Sequence, residues 1–539
     1  MSNKKMREAL TKIHAVIIIA IIIVAGVIGG ALWYVTRPAP PSPEIDTFTW
    51  ADYTDWTEMD PSPAFSVETT WISQCYETLT HYNYPGETPE VLPCLATSWN
   101  VSEDGLKWTF HLREGVKFHC GREFDAEAVK YSIERTMDMG KGASWIWASV
   151  ENITVINTST VEFNLKYAAP IDIIASSCYG AYIMCPDDTE GKTSDWFWAG
   201  HDTGTGPYTI VEYEKDEYTI LEKFEDYWGG WVDTQIDRFV YKVVPESATR
   251  VKLLKAGEID FTYNIPRENI QELMMAPGIT VKSFPTYLVS YAHLNCEKPP
   301  LNDSRVRQAI AYATPYDDIV TYVLRGIGQQ ARGVIPHGML GCSENCTQYH
   351  LDLDKARELL AEAGYPGGGF TLHLNYVAGV GWDRLVEIWG ATLEEVGITL
   401  VSTGMPWSQE WSIATGSIEE RQDICIYSWW PTYIDPYDFL GSMLHSEEEP
   451  IGAYSFHLTY YKNPEFDNLI DTANELIGYD REEALLRFDQ AQCILMEDSP
   501  IIPFYDYVRV LPFRDKWTGI SFNPAYDYVL PLYDIQVIR

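Results

Sequence analysis

The fold is decided by the stretch Leu95-Ala-Thr-Ser-Trp-Asn-Val-Ser-Glu-Asp-Gly-Leu-Lys-Trp-Thr-Phe-His-Leu-Arg-Glu-Gly-Val-Lys-Phe118, which continues to Ala126-Glu-Ala-Val-Lys-Tyr-Ser132. Apolar and polar residues alternate over Leu106–Arg113, which is the pattern of a half-buried strand. Asp125 stands where a helix N-cap is expected, and apolar residues follow it at helical spacing up to Met137. The stretch therefore predicts a strand followed by an amphipathic helix.

Similar patterns extend along the rest of the chain and predict a mixed α/β protein. Helical spacing is found at Ser247–Ala256, Ser304–Ala313, Asp354–Ala363, Asp383–Val396 and Arg481–Glu497. Strand-like segments are Tyr208–Lys223, Phe239–Val244, Thr280–Asn295, Thr371–Val377 and Ile398–Ser402. No fixed-period repeat is visible, so a solenoid or a propeller is not expected.

Charge and length limit the classes of protein to be considered. The chain has 539 residues and a formal net charge of −38, and its length predicts about three to four domains. A nucleic-acid binder or a protein that adheres to anionic lipid needs a basic surface. We therefore expect no nucleic-acid partner.

The N-terminus predicts the compartment. Ala15–Val35 is a run of 21 residues without a charge, long enough to cross a hydrocarbon core of about 30 Å. Basic residues precede it within residues 1–14, so this tail is expected in the cytoplasm. Residues 36–45 are rich in proline and predict an extended linker. We expect a single-pass protein of the cell membrane, held by this helix, with an extracellular ectodomain.

Two other interpretations of the N-terminus stay open. A cleaved secretory signal has an apolar region of about 7–15 residues, shorter than the run found here. Glu8-Ala9-Leu10-Thr11, directly before the run, resembles the processing site of archaeal pilin-like signal peptides. This motif suggests an archaeal-type, membrane-anchored protein. In every case the bulk of the chain lies outside the membrane.

Ten cysteines in an exported protein predict disulfides. Their spacing allows short loops closed by Cys342 with Cys346 and by Cys178 with Cys185. The alternative is a zinc site formed by His337, Cys342, Cys346 and His350. An oxidising compartment favours the bridges, so no metal site is expected.

Five Asn-x-Ser/Thr sequences predict glycosylation of the surface. They begin at Asn100, Asn152, Asn157, Asn302 and Asn345.

Signatures of catalysis are missing from the sequence. There is no GxSxG, HExxH, GxxxxGK or GxGxxG motif. With 77 Asp and Glu residues, any chosen pair of carboxylates carries little information about hydrolysis. We therefore predict that the protein is not an enzyme, has no catalytic residues and needs no cofactor.

Several blocks, in order, resemble the extracellular solute-binding proteins of the peptide/nickel class, family 5, that serve ABC importers. The most specific is the stretch from Leu95 to Ser132, in which the family's His-Asp-Gly triplet reads His119-Cys120-Gly121. The other blocks are Gly204-Thr-Gly-Pro-Tyr208, Tyr227-Trp-Gly-Gly230, Lys255-Ala-Gly-Glu-Ile-Asp260, Pro300–Ala309, Ala356–Pro366 and Tyr461-Lys-Asn-Pro-Glu-Phe-Asp467. Together the blocks span residues 46–539.

The resemblance implies a type II periplasmic-binding-protein fold, with two lobes around a cleft and a small inserted domain. Lobe I is expected at 46–79, 191–290 and 506–539, the inserted domain at 80–190 and lobe II at 291–505. The ligand is expected in the cleft, which closes by hinge bending.

Two segments resemble the pocket walls of the family. They are Tyr263-Asn264 and the loop Trp429-Trp430-Pro431-Thr432-Tyr433-Ile434-Asp435-Pro436. In the peptide binders an aspartate pairs with the α-ammonium of the ligand, and Thr432 takes its place here. A desolvated ammonium needs a partner charge. We expect Thr432→Asp to strengthen peptide binding, and Asp435 to be the carboxylate of a turn.

Tryptophans favour a sugar ligand, because sugar rings stack on flat indoles. The candidate stacking residues are Trp407, Trp411, Trp429 and Trp430 in lobe II and Trp145 and Trp147 in the inserted domain. An oligosaccharide is therefore the first expectation and a peptide the close alternative. A nickel or haem ligand lacks histidine support.

The implied partners are the solute itself and the permease and ATPase subunits of an ABC importer. The alternative class is an extracellular enzyme or a surface structural protein that reuses the fold.

Overall fold

The computed structural model describes residues 45–83, 90–378, 380–417, 420–446 and 456–539. The predicted cytoplasmic tail (1–14), the transmembrane anchor (15–35) and all but the last residue of the linker (36–45) lie outside the described residues. Within these ranges, no helix combines the length and the apolar composition that a membrane crossing requires.

Strands and helices alternate along the described part of the chain. The strands are β1 (Thr47–Asp52), β2 (Thr80–Tyr82), β3 (Val91–Pro93), β4 (Ala96–Val101), β5 (Lys107–Leu112), β6 (Val150–Asn157), β7 (Thr160–Leu165), β8 (Tyr208–Glu214), β9 (Tyr218–Lys223), β10 (Arg238–Val243), β11 (Phe261–Thr262), β12 (Ile279–Leu294), β13 (Gln329–Gln330), β14 (Phe370–Val377), β15 (Ile398–Met405), β16 (Ile424–Trp429), β17 (Ile501–Arg514), β18 (Trp517–Thr518) and β19 (Gln536–Val537). The helices are α1 (Thr69–Cys75), α2 (Ala126–Met139), α3 (Ile171–Ile174), α4 (Pro186–Thr189), α5 (Ser194–Trp198), α6 (Ser247–Ala256), α7 (Arg267–Met274), α8 (Ser304–Tyr312), α9 (Tyr316–Asp318), α10 (Leu353–Glu362), α11 (Trp382–Glu394), α12 (Trp407–Ala414), α13 (Pro436–Leu444), α14 (Pro464–Leu476) and α15 (Arg481–Asp498). Short 3₁₀ turns cover Ser144–Trp147 and Leu532–Asp534, and a π turn covers Ile319–Val323.

An 11-stranded mixed sheet runs through the unit Thr47–Arg539. Its strand order is β15-β14-β16-β12-β17-β11-β1-β10-β9-β8, and β13 pairs with β17 at the side. We call β1 and β8–β11 the first half of this sheet and β14–β16 the second half.

In the first half, β1 lies between β10 and β11 and runs parallel to both. Phe48 and Trp50 are alternate residues of β1, so they point to one face. Both are buried and pack against Phe239 and Phe261. This aromatic layer anchors the first half.

In the second half, β14 lies between β15 and β16 and runs parallel to both. The helix α11 joins β14 to β15, which is the usual connection between parallel strands. Leu385, Trp389 and Leu393 are spaced by four residues along α11 and are fully buried. This spacing places them on one helical face.

The long strands β12 and β17 join the two halves. They pair antiparallel along most of their length, and the second part of β12 also pairs with β16. The register of β12 against β17 shifts between Pro285 and Val289. Because the ladder is interrupted there, bending at this point changes few hydrogen bonds.

A separate antiparallel sheet, β4-β5-β7-β6, lies within the predicted insertion. Its buried aromatic residues are Trp108, Phe110 and Phe163, and Trp147 of the neighbouring 3₁₀ turn stacks on Phe163. The helix α2 lies between β5 and β6 along the chain, and the Asp125 side chain accepts a hydrogen bond of 2.9 Å from the Ala128 amide. The predicted N-cap is therefore confirmed. The domain boundaries 46–79, 80–190, 191–290, 291–505 and 506–539 stay a prediction.

The elements predicted from periodicity are present, mostly with ends displaced by a few residues. The β-rich segment Tyr208–Lys223 is a hairpin of β8 and β9. Its turn contains Asp216, whose φ of 60° is left-handed, a conformation that aspartate adopts more readily than most residues.

The cysteine pairing differs from both sequence predictions. Cys346 forms a disulfide with Cys493, so it neither closes a short loop with Cys342 nor belongs to a zinc site. Cys342 and Cys178 are unpaired thiols. The spacing of the cysteines along the chain did not predict this pair, because the long-range packing of α15 brings Cys493 to Cys346.

Candidate functional site

The carboxyl ends of the parallel strands in both halves lead into three residues predicted to bind the ligand and into Tyr53, which was not predicted to do so. β1 is followed by Tyr53 and β11 by Asn264, whereas β15 and β16 lead into Trp407 and Trp430. Tyr53 is 42% exposed and Trp407 is 41% exposed. In open α/β sheets, ligands bind outside the carboxyl ends of the strands. We call the space bordered by these residues the cleft.

Alternate residues of β17 form the floor of the cleft. Tyr505, Tyr507 and Arg509 share one face of the strand, since side chains alternate with a period of two. The Tyr507 hydroxyl lies 3.5 Å from the Ser428 hydroxyl of β16. Arg509 lies 4.7 Å from the centre of the Tyr263 ring, next to β11. This row therefore connects the second half of the sheet with the first.

Arg509 is held by a buried carboxylate. Its Nε and Nη2 donate three hydrogen bonds of 2.6–3.1 Å to Asp527, and the Tyr263 hydroxyl donates a fourth at 3.2 Å. Burial opposes the charge of Arg509, but Asp527 outweighs this effect and holds the pKa of Arg509 above its usual value. The Nη1 group makes no hydrogen bond to a described residue. It is the donor left for a ligand.

Next to the first half of the sheet lies a second buried pair of oppositely charged residues, Asp52 and Arg250. Asp52 accepts a hydrogen bond from the Tyr53 amide at 2.8 Å, and burial raises the pKa of Asp52 to about 6. Arg250 donates to the carbonyls of Val244 and Asn264 at 2.7 and 2.9 Å. Burial lowers the pKa of Arg250, although Asp52 opposes this. Asp52 and Arg250 are therefore close enough for each charge to influence the pKa of the other.

Asn264 is exposed and has a left-handed φ of 48°. Tyr263, its neighbour in the predicted pocket wall, is buried below Arg509. Asn264 can therefore reach a ligand, whereas Tyr263 positions Arg509 through Asp527.

The second-half loop is fixed from within by Asp438. Its Oδ2 accepts hydrogen bonds from Trp429 Nε1 at 3.2 Å and from the Thr432 amide at 2.9 Å. The edge of the Trp429 ring also packs on Phe456, with ring centres 4.7 Å apart. Trp429 and Trp430 are half-buried. The loop thus presents two indoles whose position depends on one carboxylate.

Thr432 is buried, with 4% of its surface exposed. Its carbonyl accepts a hydrogen bond of 2.7 Å from the Ser177 hydroxyl in the predicted inserted domain. The residue that replaces the aspartate of the peptide binders therefore makes an interdomain contact with its backbone. It exposes little surface to a solute.

Asp435 caps α13, as the turn prediction implies. Its Oδ1 accepts a hydrogen bond from the Tyr437 amide at 2.8 Å, and its Oδ2 has no partner among the described residues. Burial raises the pKa values of Asp435 and Asp438 to about 7 each. Burial also raises the pKa of Tyr433, a half-buried residue of the same loop.

Trp407 begins α12 and stands next to Trp411. Their ring centres are 5.5 Å apart, and Trp407 also lies 6.3 Å from Tyr427. Trp411 packs against Phe456. Of the predicted stacking residues, Trp407 has the most accessible ring.

The prediction for the inserted domain is wrong at Trp147. This residue is fully buried, its Nε1 donates to the Gly180 carbonyl at 2.8 Å, and its ring stacks on Phe163. Trp145 is half-buried and packs its edge on Phe65. Packing inside the small sheet explains Trp147, because an indole fills a large volume there.

Several residues of the cleft and its closure were missed by the sequence analysis. They are Arg509, Asp527, Asp438, Ser177 and the pair Asp172–Arg481. The alternation Tyr505-x-Tyr507-x-Arg509 is a signal that could have been used. The others come together only through long-range packing.

Two further cavities lie away from the predicted ligand residues. One of about 300 Å³ is bordered by Glu77, which accepts hydrogen bonds from Thr205, Tyr227 and Trp228. The other, of about 270 Å³, lies beside β17, where the Asp506 carboxylate and His337 Nδ1 form a hydrogen bond of 2.5 Å. This hydrogen bond raises the pKa of His337. The Nδ1 atom of His337 is therefore already paired with a carboxylate.

The five asparagines of the glycosylation sequences are all exposed. Their modification stays a prediction.

A protein-family model described as bacterial extracellular solute-binding proteins, family 5 middle, matches residues 90–450 of this chain. The matched residues include the separate small sheet, the long strand β12, the strand β16 and the Trp429–Asp438 loop.

Similar proteins cover nearly the whole chain. The probable D,D-dipeptide-binding periplasmic protein DdpA of Escherichia coli (strain K12) is 27% identical over 495 residues, which is 90% of each chain. Heme-binding protein A of Haemophilus influenzae is 29% identical, over 86% of this chain and 88% of that protein. The solved structure of periplasmic binding protein DppA from Helicobacter pylori with the peptide STSA is 27% identical. It has a TM-score of 0.74 and covers 92% of this chain and 98% of its own. The mixed α/β architecture is that of the type II periplasmic-binding proteins.

Proposed function

Because this chain belongs to the bacterial extracellular solute-binding proteins of family 5, a family of binding proteins rather than enzymes, we propose that it captures a peptide-class solute in the cleft. The two halves close around the solute, and the protein delivers it to the permease and ATPase subunits of an ABC importer. The chain itself supplies binding and release.

The observation that carries this proposal is Arg509 on the cleft floor. Its guanidinium is pre-oriented by Asp527, and its Nη1 remains available for an anionic or carbonyl oxygen of the ligand. Guanidinium binds carboxylates in a fixed geometry. A peptide offers such a carboxylate, together with backbone carbonyls. The names of the relatives, which mention D,D-dipeptide and the peptide STSA, support the same class.

An oligosaccharide is the second candidate, and the exposed Trp407 is compatible with it. An indole that is 41% exposed next to a cleft offers a stacking face to a sugar ring. The neutral Thr432 adds no charge for an ammonium. Stacking on Trp407 serves an aromatic or aliphatic peptide side chain equally well, so Trp407 does not separate the two classes.

Calorimetric titration separates them. The panel contains di- to pentapeptides with free and with amidated carboxyl termini, and neutral α- and β-linked oligosaccharides. We expect heat from free peptides, weaker binding after amidation because the partner of Arg509 is removed, and no heat from the sugars. Tight binding of a neutral sugar with no response to any peptide would overturn the proposal.

We further propose that Ala15–Val35 holds the protein at the membrane as an archaeal-type anchor. The support is the uncharged run of 21 residues. The native protein should resist a high-salt wash and leave membranes only with detergent, and N-terminal sequencing would reveal processing after Ala9. Recovery of the whole pool as soluble protein contradicts the anchor.

We also propose that the asparagines of the five Asn-x-Ser/Thr sequences are glycosylated, because all of them are exposed. They are Asn100, Asn152, Asn157, Asn302 and Asn345. Intact mass before and after enzymatic deglycosylation tests it.

A further inference from the structure

Two cysteines that spacing did not pair lie together in the predicted inserted domain. The Sγ atoms of Cys120 and Cys185 are 3.0 Å apart, although 65 residues separate the two along the chain. Neither belongs to the Cys346–Cys493 disulfide. Two thiols within about 1 Å of the S–S bond length of ~2.05 Å need little movement to be joined.

Hydrogen bonds that do not involve sulfur fix the positions of both cysteines. The amide of His119, next to Cys120, donates to the Gly204 carbonyl at 2.9 Å, and the amide of Cys185 donates to the Thr203 carbonyl at 3.0 Å. Both cysteines are therefore docked on the same short segment. Their proximity follows from the backbone rather than from one side-chain rotamer.

We propose that Cys120 and Cys185 form a second disulfide, which joins the connection between β5 and α2 to the residue that precedes α4 within the predicted inserted domain. In this step both thiols lose their hydrogens and one S–S bond forms. The two electrons and two hydrogens pass by thiol–disulfide exchange to an oxidised disulfide partner, which becomes two thiols. The extracellular location of the family provides the oxidising compartment in which such bonds persist.

A bridge here has a consequence for the stability of the proposed receptor. Both cysteines lie within the predicted inserted domain, close to its boundary with the predicted lobe I. The cross-link joins two residues that are 65 positions apart in sequence, so it restricts the unfolded chain and stabilises the folded domain.

A thiophilic metal is the competing occupant, because the Asp188 carboxylate lies within 4.8 Å of both sulfurs. The sulfur spacing argues against it. Two thiolates on one tetrahedral zinc, with Zn–S of about 2.3 Å, stand about 3.8 Å apart, whereas these stand 3.0 Å apart.

Thiol counting tests the proposal on the full chain, exported into an oxidising compartment or refolded with oxidised glutathione. The protein is unfolded without reductant and alkylated. Of ten cysteines, two disulfides consume four, so six alkylated residues and a linked Cys120–Cys185 peptide are expected. Eight alkylated residues, or a Cys178–Cys185 link, would overturn the proposal. Alkylation of Cys120 and Cys185 that is blocked until a chelator is added would assign the pair to a metal instead.

Thermal unfolding of variants gives an independent measurement. Cys120→Ser, Cys185→Ser and the double variant should lower the melting temperature by the same several degrees, because each removes the same bond. Cys296→Ser, at a half-buried unpaired cysteine, is the matched control and should change it little. Shifts of the two single variants that add up in the double variant would contradict a shared bond.

Discussion

Arg481 and Asp172 are joined by two hydrogen bonds of 3.1 Å each, from one guanidinium nitrogen to both carboxylate oxygens. Arg481 begins α15 in the predicted lobe II, and Asp172 lies in α3 of the predicted inserted domain. The Ser177 hydroxyl adds a second contact to the Thr432 carbonyl at 2.7 Å. These contacts join the predicted lobe II to the predicted inserted domain.

The first prediction concerns this interdomain pair. Asp172→Asn should weaken ligand binding about fivefold, since a partly exposed ion pair contributes roughly 1 kcal/mol. The loss arises because the open arrangement becomes more populated. Calorimetry gives the Kd, and small-angle scattering gives the radius of gyration, which should increase in the ligand-free variant. Glu358→Gln, which removes the exposed pair Lys355–Glu358 on α10, should change neither quantity. Equal values for Asp172→Asn and the parent would show that the pair does not control closure.

The second prediction concerns Thr432. It reverses the expectation, implied by the resemblance to the family, that Thr432→Asp strengthens peptide binding. An aspartate at this position would place a third carboxylate beside Asp435 and Asp438, which are both buried. Thr432→Asp should therefore reduce the free energy of unfolding by roughly 2–4 kcal/mol and should not strengthen peptide binding. Urea unfolding and calorimetry measure the two effects. Thr432→Val, which retains the shape and the backbone contacts, is the control. Stronger peptide binding by a stable Thr432→Asp variant would instead support the expectation that an aspartate here pairs with the α-ammonium of the peptide.

The third prediction concerns the pH dependence of stability. The pKa values of Asp435 and Asp438 are about 7 in the folded protein, against about 4 in the unfolded chain. The folded state therefore binds protons that the unfolded chain has released. The resulting stabilisation is fully present below pH ~4 and is lost as the pH rises to ~7.

Asp438→Asn tests this dependence, because the amide oxygen can still accept from Trp429 and Thr432. Its free energy of unfolding should fall less steeply than that of the parent between about pH 4 and 7. At the upper end the variant should be more stable by an amount on the order of 2 kcal/mol. Glu358→Gln again provides the exposed control. Parallel curves for the variant and the parent would show that the pKa of Asp438 is not raised in the folded protein.

The order of the elements could be predicted from sequence because it depends on local pattern. Asp125 and the apolar spacing that follows it specify α2 without reference to the rest of the chain. The sequence also located the Trp429–Asp435 loop, through its resemblance to the family.

Contacts over long sequence separations could not be predicted in the same way. Cys346 meets Cys493 across 147 residues, and Arg481 meets Asp172 across 309. Trp147 was misassigned because composition does not distinguish an indole in a core from an indole in a cleft. Only packing makes that distinction.

The fourth prediction separates ligand stacking from core packing by comparing two tryptophans of the predicted lobe II. Trp407 is 41% exposed and Trp389 is fully buried, so the same substitution removes different interactions. Trp407→Ala should lower the free energy of unfolding by about 1 kcal/mol or less, whereas Trp389→Ala should lower it by about 3–5 kcal/mol, because it leaves a cavity in the core. Ligand binding should respond in the opposite order, with Trp407→Ala weakening it about tenfold, since a lost aromatic contact is worth roughly 0.5–1.5 kcal/mol. Trp407→Phe retains an aromatic face and should recover most of the affinity. Denaturant titration and calorimetry on the three variants supply both quantities. If Trp407→Ala binds as the parent does, the accessible indole faces away from the solute, and the contacts to the ligand must come from Trp430 and the β17 row instead.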